Sequence, residues 1–440
     1  MIRKMLCGAG ALGVSMFAAT AAWAQEAAEA AAAVPNPGNN AWMMTSTVLV
    51  MLMILPGLAL FYGGLTRSKN MLATMTQIGG AAALAMLIWV MYGYGLAFGP
   101  EGNQYISWGK FFLAGITPDS TAATFTDEVI SEYVFVAFQM TFAAITVALV
   151  LGSVVERMKF SAVMVFTAVW LTIVYFPIAH MVWEARGVFF VMGALDFAGG
   201  TVVHINAGVS ALVAALMIGK RKGYPTEPMP PHSLTLTFVG TGLLWVGWFG
   251  FNAGSALEAN GSAALAMINT FVATASAGLF WMLAEKFSGH KGSALGYCSG
   301  IIAGLVAVTP AAGNSGPFGA IILGAVASLV CFVFVSKIKP AMGYDDSLDA
   351  FGIHGVGGIV GAIGTAIVFA PSLGGPGGED FAIGDQLVTQ ILAVLATIAL
   401  STVGTAIAIT IAKLVTGLRV SPEVEQEGLD IGEHGERAYN

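Results

Sequence analysis

The sequence predicts an all-α polytopic membrane protein with eleven transmembrane helices, arranged as an inverted repeat of five plus five helices and one C-terminal helix. Its composition excludes an ordinary soluble domain, because 57% of the residues are hydrophobic and 10% are charged, against about 45–50% and about 25% in soluble proteins. Apolar runs recur at the length of about 20 residues that a helix needs to cross a bilayer. A matched pair of Asp–His segments indicates the repeat.

Residues 1–24 are predicted to be a secretory signal peptide that is removed. Arg3 and Lys4 precede a long apolar run, and a small–x–small triplet ends at Ala24, as at a signal cleavage site. The mature chain is therefore expected to start outside the membrane. Of the three cysteines, one leaves with this peptide and two lie in apolar segments, so neither a disulfide framework nor a cysteine metal site is indicated.

The eleven predicted helices are 44–66, 71–98, 131–155, 160–182, 198–219, 233–254, 262–284, 293–312, 317–336, 351–370 and 386–418. The distribution of charge tests this division, since short cytoplasmic loops carry an excess of Lys and Arg. If the chain starts outside, 14 of its 18 basic residues fall in the inner loops, the last helix and the tail. Two lie in the signal peptide, and only Lys110 and Arg186 fall outside. This predicts an outer N-terminus and a cytoplasmic C-terminus.

The topology divides the chain into segments with different roles. The expected divisions are a first half with helices 1–5 (25–225), a second half with helices 6–10 (226–370), an outer loop with helix 11 (371–420) and a cytosolic tail (421–440). The tail is polar, charged and too short to form a domain. The outer connection before the third helix is acidic. This charge either concentrates cations near a pore mouth or simply keeps the loop solvated.

Two histidines within predicted transmembrane helices indicate the inverted repeat. His204 follows Asp196 by eight residues, and His354 follows Asp346 by the same step. Five helices apart, the two segments cross the membrane in opposite directions, as in the inverted repeats whose interface holds the binding route of many transporters. An ionisable residue inside a membrane indicates such a route, because burying it there costs free energy. The equal spacing of the two Asp–His pairs could instead be chance. The opposite crossing directions, however, follow from the distribution of charge and do not depend on that spacing.

The polar residues near the membrane centre favour passage over catalysis. A zinc site needs three or four protein ligands, and no third His or Glu joins the two histidines, so no metal or other cofactor is expected. Asp196 and Asp346 lie about two turns away, at helix ends where a capping or structural role is natural. Ser210 and Ser255 have no evident His and Asp partners. An enzyme is therefore not expected.

Aromatic and hydroxyl side chains accompany the histidines. Phe138 and Phe142 lie on the third helix, Trp183 follows the fourth, and Phe251 and Ser255 belong to GWFGFNAGSAL on the sixth. An aromatic face attracts a desolvated ammonium or similar cation by about 0.5–2 kcal/mol, and a hydroxyl adds a hydrogen-bond acceptor. Packing or anchoring at the membrane interface is the commoner use of aromatic residues in such helices.

Four segments resemble the signatures of the ammonium transporter (Amt/MEP/Rh) family, on its bacterial Amt side: GALDFAGGTVVHINAG, GWFGFNAGSAL, FGIHGVGG and GLDIGEHGERAY. The resemblance spans essentially the whole mature chain, including the number and polarity of the helices. It implies a homotrimer in the cell inner membrane, with one pore per subunit, that serves nitrogen uptake. It also implies that a soluble PII-type regulatory protein docks at the cytoplasmic face. No nucleic-acid partner is indicated.

The resemblance assigns the outer recruitment of ammonium to Phe142, Trp183 and Ser255, a gate to Phe142 and Phe251, and the pore to His204 and His354. It also matches Asp196 to a structural aspartate near the outer site, and Asp346 and Phe138 are expected to be structural residues near the site as well. Ammonium is then expected to lose a proton at the gate, cross as ammonia and regain a proton in the cytoplasm. A bare ion in a narrow apolar pore would lose hydration that the pore cannot replace. An ammonium sensor with little net flux is the alternative, since it would share these residues.

One segment departs from the family pattern. Between Trp183 and Asp196 the chain reads EARGVFFVMGAL, where relatives commonly have a glycine-rich start, WGGG. The position of the Trp183 indole therefore depends on a segment that the resemblance does not specify, with Glu184 and Arg186 directly beside it.

Overall fold

The computed structural model describes residues 33–439, so the predicted signal peptide, residues 1–24, lies outside the described residues. Eleven helices within this part of the chain are long and apolar enough to cross a membrane, which confirms the predicted number. They are α1 (Pro37–Leu65), α2 (Ser68–Phe98), α3 (Glu132–Leu151), α4 (Phe160–Val191), α5 (Gly200–Ile218), α6 (Leu234–Gly254), α7 (Gly261–Phe287), α8 (Ala294–Ala311), α9 (Pro317–Met342), α10 (Phe351–Val368) and α11 (Ile383–Thr416). Two short helices of the tail follow, α12 (Pro422–Glu427) and α13 (Leu429–His434).

Several helix ends differ from the predicted ones because local hydrogen bonds decide them. α1 begins at Pro37 instead of 44, since the Asn36 side chain accepts hydrogen bonds from the N–H groups of Gly38 and Asn39. Such an N-cap followed by proline fixes a helix start. α3 ends at Leu151 instead of 155, and turns follow it. α4 includes a turn at 184–187, between helical stretches that end at Trp183 and begin at Val188.

The connection between α2 and α3 contains two antiparallel hairpins that the sequence pattern did not predict. β1 (Glu101–Gly102) pairs with β2 (Ser107–Trp108), and β3 (Thr121–Ala123) pairs with β4 (Val129–Ser131). The first hairpin folds back onto the last turns of α2. A Cβ added to Gly95 would lie 1.9 Å from the carbonyl oxygen of Gly109, so the close approach requires glycine.

α5 and α10 cross in the interior, and their contact is reciprocal. A Cβ added to Gly208 would lie 2.1 Å from the backbone nitrogen of Gly355, and one added to Gly358 would lie 3.1 Å from that of Ile205. Gly208 follows His204 by four residues and lies against Gly355, the residue after His354. Gly358 follows His354 by four residues and lies against Ile205, the residue after His204. Small residues allow such close crossing of membrane helices, and the reciprocity agrees with the predicted repeat.

Buried ion pairs join the loops at one end of the bundle, which we call the basic end (66–67, 152–159, 219–233, 343–350 and 417–439). Glu156 contacts Arg67 at 3.1 Å and Arg221 at 2.8 Å, and Arg221 also contacts Asp345 at 2.8 Å. Burial alone raises the pKa of Glu156, but Arg221 and Arg67 hold that pKa below its usual value. Buried charges persist only when paired, so this network fixes the loops of both halves relative to each other.

Within the basic end, the tail packs against the starts of α2 and α4. The Asp430 carboxylate accepts a hydrogen bond of 2.8 Å from the N–H of Ala73, in the first α-helical turn of α2, which starts at Met71 after a short 3₁₀ turn. Glu433 accepts one of 2.9 Å from Phe160 at the start of α4. Carboxylates at helix N-termini satisfy unpaired N–H groups and are favoured by the helix dipole. The opposite end, which carries 99–131, 192–199, 255–260, 312–316 and 369–382, is called the long-loop end below.

Candidate functional site

Asp196 organises the start of α5. Its carboxylate accepts hydrogen bonds of 2.9–3.1 Å from the N–H groups of Gly199, Thr201 and Val202. It also bonds the N–H of Gly200 and the hydroxyl of Thr201. These are the N–H groups that a helix start leaves unpaired. The buried carboxylate therefore acts as the helix cap, and its charge is held by the backbone.

Asp346 takes the corresponding position before α10. Its Oδ2 accepts a hydrogen bond of 2.8 Å from the N–H of Phe351, five residues on, as Thr201 is five residues on from Asp196. Its Oδ1 has no hydrogen-bond partner among residues 33–439. Burial raises the pKa of Asp346 above its usual value, and Lys339 opposes that rise. Both aspartates, eight residues before their histidines, therefore cap the helix that follows. They differ in the number of hydrogen-bond donors that contact the carboxylate.

Five rings form a continuous column from the long-loop end towards the centre of the bundle. Trp183 packs edge-on against Phe142, with ring centroids 5.6 Å apart. Phe142 stacks on Phe251 at 4.2 Å with an interplanar angle of 20°. Phe251 lies 6.0 Å from His204, and His204 lies 5.4 Å from His354. The column places in spatial order the residues that the sequence analysis assigned to recruitment, gate and pore.

The remaining predicted site residues surround the column near the long-loop end. Phe138 packs beside Phe142 with centroids 4.9 Å apart. Ser255 lies one turn beyond Phe251, where its hydroxyl donates a 2.8 Å hydrogen bond to the Phe251 carbonyl and keeps its oxygen available as an acceptor. The Trp183 indole N–H donates a 3.0 Å hydrogen bond to the carbonyl of Asp196. The departure after Trp183 has therefore not moved the indole away from Phe142.

His204 and His354 are almost completely buried, with 1% and 3% of their surfaces exposed. Their Nδ1 atoms are 3.3 Å apart, so one ring must donate and the other must accept. His204 Nε2 has no hydrogen-bond partner among the described residues. Within the same part of the chain, no three His, Cys, Asp or Glu side chains form a group that could hold a metal ion.

Trp248 is a column neighbour that the sequence analysis did not assign. Its ring stacks on His204 with centroids 5.3 Å apart, and its indole N–H donates a 3.0 Å hydrogen bond to the Thr309 hydroxyl. The signal was present in the sequence. Trp248 precedes Phe251 by three residues, and residues at that spacing share one face of a helix.

Two cavities continue the column. One of about 10 Å³ adjoins both histidines and is lined mostly by apolar side chains such as Phe251 and Trp248, a size that admits about one water molecule. The other, about 350 Å³, opens towards the basic end, and polar groups such as Asp349 lie in its wall. His354 borders both cavities. A small apolar cavity beside the stacked phenyl rings is therefore followed by a larger vestibule whose wall contains both apolar and polar groups.

Eleven helices of the described chain that are long and apolar enough to cross a membrane define a polytopic membrane protein with a small internal cavity beside two histidines. The family model of the Ammonium Transporter Family matches residues 41–439. The chain therefore belongs to the ammonium transporter family, as the four signature segments predicted.

Relatives and solved structures agree with this assignment. The chain is 48% identical to "Ammonium transporter" of Aquifex aeolicus over 412 residues, covering 92% of this chain and 94% of the relative. It is 44% identical to "Ammonium transporter" of Bacillus subtilis, covering 91% and 98%. Among solved structures it is similar to Saccharomyces cerevisiae Mep2, with a TM-score of 0.80, 35% identity and 88% of each chain covered. It is also similar to a "Sensor Amt Protein", with a TM-score of 0.82, 30% identity and coverage of 90% and 98%.

Proposed function

We propose that this protein conducts ammonium across the membrane as ammonia. Ammonium is captured at the long-loop end against Trp183 and Phe142, with Ser255 as a hydrogen-bond acceptor. It gives up a proton at the Phe142–Phe251 stack, and ammonia passes His204 and His354. A proton is regained in the vestibule at the basic end.

The observation that carries this proposal is the order of the five rings. A stack with centroids 4.2 Å apart leaves no space for a hydrated ion while the rings stay in place. The next space is about 10 Å³ and mostly apolar. Moving an ion into such surroundings costs several kcal/mol even after relaxation. Neutral ammonia avoids most of that cost, so the apolar column favours ammonia over any ion of similar size.

The histidine pair supplies the polar atoms that ammonia requires. Neutral imidazoles can donate to ammonia or accept from it, and two rings joined by a hydrogen bond titrate as a coupled pair. The Nδ1–Nδ1 contact of 3.3 Å provides such a bond and a route by which the proton follows. Potassium has no proton to lose and is excluded by chemistry that size alone could not provide.

The orientation and partners belong to the same proposal. The long-loop end faces outside and the basic end faces the cytoplasm, as the distribution of Lys and Arg supports. The protein acts as a homotrimer in the inner membrane after removal of residues 1–24. A PII-type regulator docks at the basic end, where α12, α13 and the neighbouring loops form one packed surface. The family resemblance supports the trimer and the regulator.

Ammonium-evoked current in proteoliposomes that contain the purified protein tests the proposal. We expect a current with ammonium and none with potassium at equal concentration. His290→Ala, which changes an exposed histidine that lines neither of the two cavities, serves as the matched control for pore variants and should leave the current unchanged. Absence of an ammonium current from correctly inserted wild-type protein would refute transport in which the proton follows the ammonia.

An ammonium sensor is the second candidate, because a structure titled "Sensor Amt Protein" shares the fold over 98% of its chain. A sensor would retain the recruitment site at Trp183 and Phe142. Isothermal titration with ammonium separates the two functions. Saturable binding without current supports the sensor, whereas binding accompanied by current supports the transporter.

A further inference from the structure

A chain of buried hydrogen bonds links Trp248 of α6 to side chains of α7 and α8. The Trp248 indole N–H donates to the Thr309 hydroxyl at 3.0 Å, and that hydroxyl lies 3.3 Å from Oδ1 of Asn252. The Asn252 amide nitrogen donates to the Thr270 hydroxyl at 3.0 Å. Asn252, Thr270 and Thr309 are each 0% exposed. Three helices therefore fix the indole through interior polar contacts.

His204 is the pore residue that packs against this indole. The plane of its imidazole is nearly parallel to two neighbouring rings, at 22° to Trp248 and 19° to His354. Its Nδ1 contacts His354, whereas its Nε2 has no hydrogen-bond partner among the described residues. Because one ring nitrogen is not held, the orientation of the imidazole depends on its packing against Trp248 as well as on His354.

We propose that Thr309 is a positioning residue for His204 and acts through Trp248. Its hydroxyl holds the indole in place, and the indole sets the plane of the imidazole at the small cavity that both rings line. Asn252 and Thr270 support the Thr309 hydroxyl in turn. The effect on ammonium rests on the proposed function, whereas the geometry of the rings does not.

The partners of Thr309 require a hydroxyl at this position. A buried indole N–H needs an acceptor, since leaving such a donor unpaired costs free energy. The single hydroxyl hydrogen is available to the Leu305 carbonyl at 2.8 Å or to Asn252, and the oxygen still accepts from the indole. Valine has nearly the same shape without an acceptor, whereas serine keeps the acceptor. The position therefore offers both an isosteric loss and a conservative rescue.

The indole contacts the inner part of the ring column. Trp248 lies 5.3 Å from His204 and 5.5 Å from Phe251, measured between ring centroids. The outer ring, Trp183, packs instead against Phe142. A shift of the indole would therefore disturb passage beyond the stack and leave the recruitment of ammonium intact. Maximal current and half-saturating concentration should respond differently.

Transport kinetics in a double-mutant cycle test the positioning role. We expect Thr309→Val to lower the maximal ammonium current by about two- to tenfold, the effect of one neutral hydrogen bond, at unchanged half-saturation. Thr309→Ser should retain most of the current. In Trp248→Phe, which keeps a ring but has no N–H, Thr309→Val should cause no further fall. The same fall with and without the indole would overturn the proposal, as would an unchanged maximal current in Thr309→Val.

Thr365→Val is the matched control for this cycle. Thr365 is a buried threonine on α10, and its hydroxyl bonds the Gly361 carbonyl of its own helix at 2.8 Å. The variant loses a hydroxyl without touching the indole, so its current should stay unchanged. If Thr309→Val does not fold, Trp248→Phe alone removes the same bond and must lower the maximal current. An unchanged current in Trp248→Phe would then overturn the proposal.

Nitrogen-15 NMR of protein in lipid, labelled at tryptophan and histidine, tests the geometry without transport. The indole signal that disappears in Trp248→Phe should shift in Thr309→Val, because its hydrogen bond is lost. The His204 signal, assigned by its loss in His204→Ala, should shift as well, whereas that of the exposed His290 should not. An indole shift with an unmoved His204 signal would overturn the positioning role. A wild-type protein without current would defeat the proposed function, while these signals would still decide the geometry.

Discussion

α5 and α10 share one sequence step but differ in what surrounds it. Asp196 has five hydrogen-bond donors around its carboxylate, whereas Asp346 has one oxygen without a partner among residues 33–439. His204 is packed against aromatic rings, whereas His354 borders the vestibule of about 350 Å³. The two halves thus share a sequence step and a contact between their histidines, but they differ in the partners of each aspartate and in the surroundings of each histidine.

The difference follows from the residues after each aspartate. Asp196 is followed by a glycine pair, and Gly199 has a φ of +114°, a left-handed conformation in which successive N–H groups can turn towards one carboxylate. Non-glycine residues rarely adopt that conformation. Asp346 lies instead in a charged segment with Asp345 and Asp349, where Lys339 donates to its carbonyl at 2.6 Å. The α5 cap is therefore built mainly from backbone N–H groups, whereas the segment before α10 is also held by the Lys339 side chain.

The largest effect is expected from Asp196→Asn. The amide would present an NH₂ group to backbone N–H donors and leave a buried group unpaired, at about 3 kcal/mol or more. We expect a marked fall in the melting temperature of the purified protein, measured in detergent. Asp346→Asn should cost about 1 kcal/mol, because fewer bonds depend on its carboxylate.

Asp119→Asn, in an exposed part of the long-loop end, is the control for these two variants and should leave the melting temperature unchanged. Equal destabilisation by Asp196→Asn and Asp346→Asn would contradict the asymmetry between the two halves.

The second prediction concerns the entrance to the α5 side. Trp183→Leu keeps apolar volume but removes a ring face worth about 0.5–2 kcal/mol to a cation. The half-saturating ammonium concentration should rise by up to about 30-fold, with a smaller effect on maximal current. Trp108→Leu, which changes an exposed tryptophan at the same end, is the control. An unchanged half-saturation in Trp183→Leu would remove Trp183 from the recruitment site.

The sequence predicted the parts of this protein that periodicity and composition determine. The number of helices and the family are confirmed, and the assigned rings lie in one column although their roles remain predictions. The two hairpins and the tail helices were missed, because short elements of this kind are fixed by contacts such as Ala73 with Asp430.

The third prediction compares the two histidines. His204→Ala removes one partner of the Nδ1–Nδ1 hydrogen bond, which is worth about 0.5–1.5 kcal/mol. His204 is the partner that is packed against aromatic rings. We expect the ammonium current to fall by up to about tenfold with normal assembly. His354→Ala should have a smaller effect, because the adjoining vestibule can supply water. His290→Ala is again the control, and full, selective current in His204→Ala would contradict the proposed proton route.

The smallest effect is expected at the stack itself. Phe251→Leu keeps most of the apolar volume between Phe142 and His204 but ends the ring pair, which is worth about 0.5–1.5 kcal/mol beyond its buried area. Conduction or ion exclusion should therefore change by about two- to tenfold while the folded protein is retained. Phe249→Leu is a matched control on the same helix, because Phe249 packs against Phe271 and makes no ring contact with the column. A concentration series of ammonium and potassium currents for the two variants separates the outcomes. If both variants behave alike, the Phe142–Phe251 stack serves only for packing. The barrier to ions would then lie beyond it, at the His204–His354 pair.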